Sequence, residues 1–398
     1  MQWASSLCQD PSPQNALKQV LQDILAQIGK NPIDLAFLFT WSHFQNDQEG
    51  LLKEITESLS CRTLVGCSGG GIIGGGKEVE HRPAIALTVA HLPGVEITSF
   101  HLDSSDLPDL DASPKKWQGC FQVGSDPQPH FILFADPFSF DVERGLVGLD
   151  FAYPGATKIG GLASGGNGTG QNLLFLNQNL YRSGLVGVAL RGDIAIDTIV
   201  AQGCRPIGTP LPITQCNRNL LIALDHKPPL EVLQEIYEQL NEEDQKLMQH
   251  SLFLGLAMTP FKETLMRGDF LIRNLIGMDS KTGSLAVGSL LREGQMVQFH
   301  LRDAETSIED LKWHLTQYQM EGKARTARGA LLFSCLGRGE HLYGKPNHDT
   351  DLFHARVGPL PLGGFFCNGE IGAVGGSTFL HGYTSCFGIF KPAGPPLV

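Results

Sequence analysis

Apolar residues fall into two patterns along this chain: short unbroken runs, and longer stretches in which they recur every three to four positions. DLAFLFTW (34–41) and HFILFADP (130–137) are runs of the first kind and predict buried strands. Each is followed by a stretch of the second kind. DQEGLLKEITESL (47–59) sets Leu51, Leu52, Ile55 and Leu59 on one helical face, with Asp47 placed to cap it. DVERGLVGLDFAY (141–153) does the same with Val142, Leu146 and Leu149 and stops before Pro154. TLVGCSGGG (63–71) and KIGGLASGG (158–166) come next, and then the strands AIALTVAHL (84–92) and GLVGVALRG (184–192). An offset of 96 relates Phe37 to Leu133 and Ser68 to Ser164, so the N-terminal half reads as an internal duplication.

A third, looser copy closes the chain. GALLFSCLGRG (329–339) reads as a strand and glycine turn, DTDLFHARV (349–357) as a short helix, and PLGGFFCNGEIGAVGG (361–376) and HGYTSCFGIF (381–390) as strands. Different material separates it from the second copy. A hairpin-like PITQCNRNLLIALDHKP (212–228) precedes one long amphipathic helix over 229–250. Strands at 251–258, 270–279, 285–291 and 296–303 and a helix over 304–319 follow. Pro228 and Pro229 mark the expected domain boundary, Pro229 suiting the first turn of a helix. The expected division is an N-terminal helix (1–31), a duplicated α/β region (32–228), a second α/β region (229–390) and a tail (391–398). The fold class is mixed α/β, with strand-helix-strand units and glycine-rich loops at strand ends.

The glycine clusters invite a phosphate-binding reading. GCSGGGIIGGGK (66–77) matches the front of a P-loop through Gly71, Gly76 and Lys77. Glu78, however, stands where Ser or Thr should hold magnesium, and KEVEHRPAIALTVAHL reads as strand where a helix N-terminus is needed. The second copy keeps the glycines and the serine without a lysine. The favoured role is architectural: positive φ, or close approach of a neighbouring backbone.

Composition narrows the function. Over 398 residues, 42% are apolar and 18% charged, as in a globular protein. No apolar run approaches the roughly 18 residues of a membrane span, and the N-terminus lacks the features of a secretion signal, so a cytoplasmic protein is expected. A net charge of −11 without a Lys/Arg cluster argues against nucleic acid and anionic membrane as partners. Nine scattered cysteines with no C-x-x-C pair suggest reduced thiols. No motif requires a cofactor, and none is expected.

FSCLGRG (333–339), GFFCNGEIG (364–372), FLHGYTS (379–385) and GCSGGG (66–71) resemble the FIST family, named for F-box and intracellular signal transduction proteins. Its N and C regions together would span about residues 32 to 390. The resemblance implies a sensory module that binds small molecules such as amino acids, with no established enzyme activity. FIST regions often accompany F-box, kinase, cyclase or methyl-accepting segments. None is left over here, so output is expected to pass through a separate signalling partner. A homodimer is the simplest self-assembly to expect.

Cys335, Gly337, Arg338 and Gly339 form the first candidate site: a strand running into a loop where Arg338 could present its planar fork to a carboxylate. Asn368, Gly369 and Glu370 occupy the matching place after the next strand, where Glu370 could receive an ammonium group; with Arg338 it would suit a zwitterionic amino acid. Ser68, Gly69, Ser164 and Gly165 could add loop contacts, and His381 belongs to the same set. Cys335 with His381 or His341 as base would instead make a hydrolase or transferase, though inert packing of a thiol in LLFSCL is the simpler reading. His341, His348, Asp349, Asp351 and His354 are of metal-ligating type but loosely spaced for it. Arg273 and Arg302 interrupt or end apolar strands, and solvation or cross-strand pairing is their first expected role. A third alternative is an adaptor that binds proteins through an exposed apolar patch.

Overall fold

The computed structural model describes residues 1–44, 48–259, 264–265 and 268–394. Asp47, the expected helix cap, and residues 395–398 of the expected tail lie outside them. The chain divides into two compact units, Met1–Val200 with Trp313–Val398, and Ala201–Lys312.

Among the described residues, the first unit holds three six-stranded sheets of one design. At the centre of each is a parallel pair: Leu35–Trp41 with Thr63–Gly69, His130–Ala135 with Lys158–Leu162, and Gly329–Cys335 with Leu362–Cys367. An antiparallel strand flanks the first member of each pair: Ile85–His91, Leu185–Gly192 or Ser385–Lys391. Chain order is the same in all three. An edge strand (Gln2–Cys8, Val95–Leu102, Ala195–Ala201) leads to a helix (Pro13–Ile28, Pro114–Phe121, Ala304–Met320) and then to the parallel strands with a helix between them. The third copy is therefore complete, and the second unit runs from the end of its edge strand into its first helix. The first 31 residues hold a strand as well as the expected helix, because Gln2–Cys8 pairs along Ile85–His91.

A hairpin follows the second parallel strand of each repeat and pairs in the next sheet of a ring. Gly71–Gly74 joins Leu362–Cys367, Leu174–Leu176 joins Thr63–Gly69, and Glu370–Val374 joins Lys158–Leu162. Every repeat thus completes the sheet of another. Where they meet, Phe39, Phe134 and Phe333 occupy equivalent positions, fully buried, with Phe39 and Phe333 lying 5.5 and 5.9 Å from Phe134. Burying each such side chain is worth about 1.5–3 kcal/mol.

Gly66, Gly160 and Gly364 are equivalent as well. A Cβ at any of them would overlap the carbonyl of Leu38, Leu133 or Leu332 on the parallel neighbour. The strands can approach only because these positions lack a side chain. The true spacing is 95 between Phe39 and Phe134 and 94 between Gly66 and Gly160, so the constant offset of 96 mispairs the copies.

The second unit is a closed barrel of six strands, Cys204–Asn217, Leu220–Leu224, Ser284–Val287, Phe270–Asp279, Leu252–Ala257 and Met296–Arg302. Leu221, Leu254, Val287 and Leu301 fill it. The expected long helix over 229–250 is two helices, Pro229–Gln239 and Glu242–Met248. Leu240 turns extended, and the Asn241 side chain accepts the Asp244 amide at 2.8 Å, a cap that competes with helix continuation. Pro229 begins the first of them, inside this unit, and the compact units part at Val200/Ala201 and Lys312/Trp313. No helix of the described residues is long and apolar enough to cross a membrane.

Candidate functional site

The serines of the first two repeats work at the junction of the strand ends. Ser68 is buried in its strand; its Oγ accepts the Leu173 amide at 2.9 Å, and its own amide donates to the Leu173 carbonyl. Ser164 lies just past Lys158–Leu162 and touches all three repeats. Its Oγ accepts the Gly70 amide at 2.9 Å and donates to the Phe366 carbonyl, and its amide donates to the Ser68 carbonyl at 3.3 Å. Ser68 and Ser164 are therefore not counterparts. Gly165, at φ +87°, packs against Ser42 and Gly70, and Gly69 is buried against Phe365.

Charge gathers in the third repeat. Arg338 is fully buried, and its fork is taken up within the protein: Nε donates to Asp349 Oδ2 at 3.1 Å, Nη2 to Asp349 Oδ1 at 3.4 Å and Nη1 to the Tyr383 carbonyl at 3.3 Å. The Tyr343 ring lies over the guanidinium, 5.5 Å away. Asp349, 1% exposed, also accepts from Ser385 Oγ and has His348 Nδ1 at 3.1 Å. Burial works to raise its pKa, but Arg338 and these hydrogen bonds prevail and hold the carboxyl well below its ordinary range.

Glu370, also fully buried, accepts the Thr384 amide at 3.1 Å and the Thr384 hydroxyl at 2.8 Å. His381 is its partner across the antiparallel pair and donates from Nε2 to the Gly372 carbonyl at 3.1 Å. The Cys335 amide donates to the Thr384 carbonyl at 3.0 Å. Arg338, Glu370 and Cys335 thus converge on one short turn, and in it Tyr383 adopts φ +66°, a conformation side chains other than glycine rarely hold. Tyr383 and Cys335 are half-buried at the surface of this arrangement, and the Cys335 sulfur accepts the Gly337 amide at 3.5 Å. Burial pushes the thiol of Cys367, next to Cys335 across the parallel strands, far up, as does Glu370.

Asn368 is exposed, and its amide and the Gly369 carbonyl tie back to Leu162 of the second repeat. Gly339, at φ +73°, carries the carboxylate of Glu80 against its Cα. The metal-type residues take separate duties: His348 faces Asp349, and His354 meets the Leu360 carbonyl at 3.1 Å. Among the described residues no cluster of three or more such side chains is arranged for a metal ion. Arg273 and Arg302 belong to the barrel, where the Arg302 amide donates to the Ser251 carbonyl at 3.3 Å. Neither lines the barrel's half-open cleft of about 290 Å³ between Leu211, Leu224, Val232 and Ile236.

Arg338 and Glu370 stand out in the sequence between glycines, whereas Tyr383, Thr384 and Ser385 carry no signal beyond the run FLHGYTS. In the sequence Glu78 speaks only against a P-loop and Asp349 is only a metal-type residue near a helix start. Their meeting across repeats leaves no local pattern.

The chain matches the FIST N domain over residues 34–227 and the FIST C domain over residues 229–373. It is 35% identical over 344 residues to an uncharacterised protein of Mycobacterium tuberculosis, covering 85% of this chain and 86% of that one. An uncharacterised protein of Mycobacterium bovis is 30% identical over 388 residues, covering 96% and 97%. An F-box/LRR-repeat protein of Arabidopsis thaliana is 30% identical over 118 residues, 26% of this chain and 22% of its own length. A solved structure described as cyanuric acid hydrolase aligns over 99% of this chain and 100% of its own, at 8% identity and a TM-score of 0.32, a likeness too low to bear on function. By both halves of its sequence the chain belongs to the FIST family, whose domains are sensory domains of signal transduction.

Proposed function

We propose that this protein binds a small metabolite, an amino acid or small carboxylate, at the turn around Tyr383 in the third repeat, and passes its state to a separate signalling partner. One observation carries this reading: two buried side chains of opposite charge type, Arg338 and Glu370, hold the two ends of the peptide group that follows a tyrosine at φ +66°. A buried ion pair is often no more stabilising than apolar residues of the same volume. A non-glycine residue at positive φ costs of order 1–3 kcal/mol. Features that give up stability in this way concentrate at binding sites.

Arg338 and Glu370 act in this reading by positioning. Cys335, Gly337 and Tyr383 form the contact surface, with Gly339, Asn368, Gly369 and His381 supporting the turn, and Ser68, Gly69, Ser164 and Gly165 fixing the strand ends behind it. A ligand carboxylate uses amides of the turn, since the Arg338 fork is spent on Asp349 and the Tyr383 carbonyl. Arg273 and Arg302 are left to the barrel.

The test is a thermal-shift screen against amino acids and small carboxylates. A ligand at about a hundred times its Kd stabilises the native state by about 2.7 kcal/mol. A shift that Glu370→Gln reduces supports the site; a binding amino acid whose affinity Glu370→Gln leaves untouched removes the positioning role of Glu370. Silence from a folded sample across the panel counts against metabolite binding.

A further inference from the structure

The hairpin Gly71–Gly74/Lys77–Glu80 leaves the first repeat and pairs in the third, Ile73 opposite Gly364 and Ile72 opposite Phe365. Its outer strand does more than extend a sheet. The Glu78 amide donates to Asn347 Oδ1 at 2.7 Å, and the Glu78 carboxyl accepts the Thr350 amide at 2.6 Å, capping the helix His348–Val357 from another repeat. Two residues on, Glu80 accepts the Glu340 amide at 2.8 Å and packs on Gly339. The hairpin therefore fastens both chain turns that carry the ion pair, the one after Arg338 and the one before Asp349. Its own turn is Gly75–Gly76, at φ +53° and +77°, with the His354 ring against Gly76.

Glu78 is 6% exposed and faces charges of its own sign. Asp349 lies on the helix it caps and Glu80 on its own strand, while Arg338 and His348 engage Asp349. Ionised Glu78 would put a second negative charge beside a carboxylate whose arginine is already committed.

We propose that this hairpin is a proton-dependent strap over the Arg338–Asp349 pair, closed while Glu78 is protonated and loosened when it ionises. The strap stands on these contacts alone; its use in sensing rests on the ligand reading above. Burial, reinforced by Asp349, pushes the Glu78 carboxyl up to about 8, so its proton is exchanged close to neutral pH.

Hydrogen exchange read by mass spectrometry from pH 6.5 to 9.5, on the full chain without ligand and corrected for intrinsic exchange, tests this. Peptides spanning 71–80 and 347–357 are expected to lose protection by up to about tenfold per pH unit as pH rises towards about 8 and to level off above it, with no such trend in Glu78→Gln. A flat wild-type profile, or the same loss in Glu78→Gln, overturns the strap. Should Glu78→Gln not fold, infrared difference spectra of the wild type decide: a carboxylic-acid band at pH 7 that is lost where the exchange levels off supports it, and no such band refutes it. A silent ligand screen would leave this outcome standing, so the two readings fail separately.

Discussion

Arg338 and Asp349 form a two-point ion pair from which water is withdrawn on both sides, with the two side chains 0% and 1% exposed. At that depth the carboxylate is met by Arg338 and, at 3.1 Å, by His348 Nδ1. Arg338→Met should therefore cost about 3–5 kcal/mol, the usual loss when one partner of a buried pair is removed. Combining it with Asp349→Leu should recover most of that loss, since the uncompensated carboxylate goes too. Urea titrations followed by circular dichroism measure both. A single variant losing under about 1 kcal/mol would mean that solvent reaches the pair, as it reaches exposed ones.

The barrel carries a histidine that cannot hold a proton at neutral pH. His300 is buried, its Nδ1 donating to the Gln298 carbonyl at 3.0 Å, and Gly255 and Phe270 crowd its ring. Burial lowers its pKa to about 4, against the weaker opposing effect of the Gln298 carbonyl. The unfolded chain binds a proton there near pH 6.5 and the native barrel does not, so stability is lost as pH falls from 6.5 towards 4, by on the order of 3 kcal/mol. Hydrogen exchange in Leu252–Ala257 and Met296–Arg302 at pH 7 and 4.5 should show this loss, and His300→Phe should flatten it. Equal acid sensitivity in the variant would assign the effect elsewhere.

Glycines of the repeats divide into those that a neighbour requires and those it does not. Gly66→Ala, Gly160→Ala and Gly364→Ala should each cost more than about 3 kcal/mol or prevent soluble expression, because the new methyl meets a backbone carbonyl that cannot yield without moving a central strand. Gly119, in the helix Pro114–Phe121, has open space around it, and Gly119→Ala should stabilise by about 0.5–1 kcal/mol. A central-strand alanine tolerated like Gly119→Ala would contradict the close approach.

That glycine set shows how far the sequence was legible. Apolar runs and glycine turns announced the strands of each repeat, and loss of the lysine from the second copy argued rightly that the loops are architectural. The register was not legible, because Ser68 and Ser164 share a motif without sharing a position, whereas Phe39, Phe134 and Phe333 share a position without a motif. The hairpin exchange was hidden too: Ile73 pairs with Gly364, and nothing near Ile73 names a partner 291 residues away. The candidate site was half visible for the same reason. Arg338 and Glu370 stand out between glycines, but their partners Asp349 and Thr384 look like ordinary cap and turn residues until the fold brings them in.

Tyr383 is the residue on which the binding proposal can be separated from structure. Its φ of +66° suits glycine. Tyr383→Gly relieves strain of about 1–3 kcal/mol. Against this stands the greater freedom of glycine in the unfolded chain, about 0.5–1 kcal/mol. If the ring is there for a ligand, the variant should equal the wild type in stability or exceed it by up to roughly 2 kcal/mol, while losing the thermal shift produced by whichever amino acid or carboxylate the screen identifies. Tyr383→Phe keeps the ring and the strain, and its shift separates a stacking contact from one through the hydroxyl. A Tyr383→Gly protein that is clearly less stable would make the ring a packing element, and one that keeps its full ligand response would move the site away from this turn.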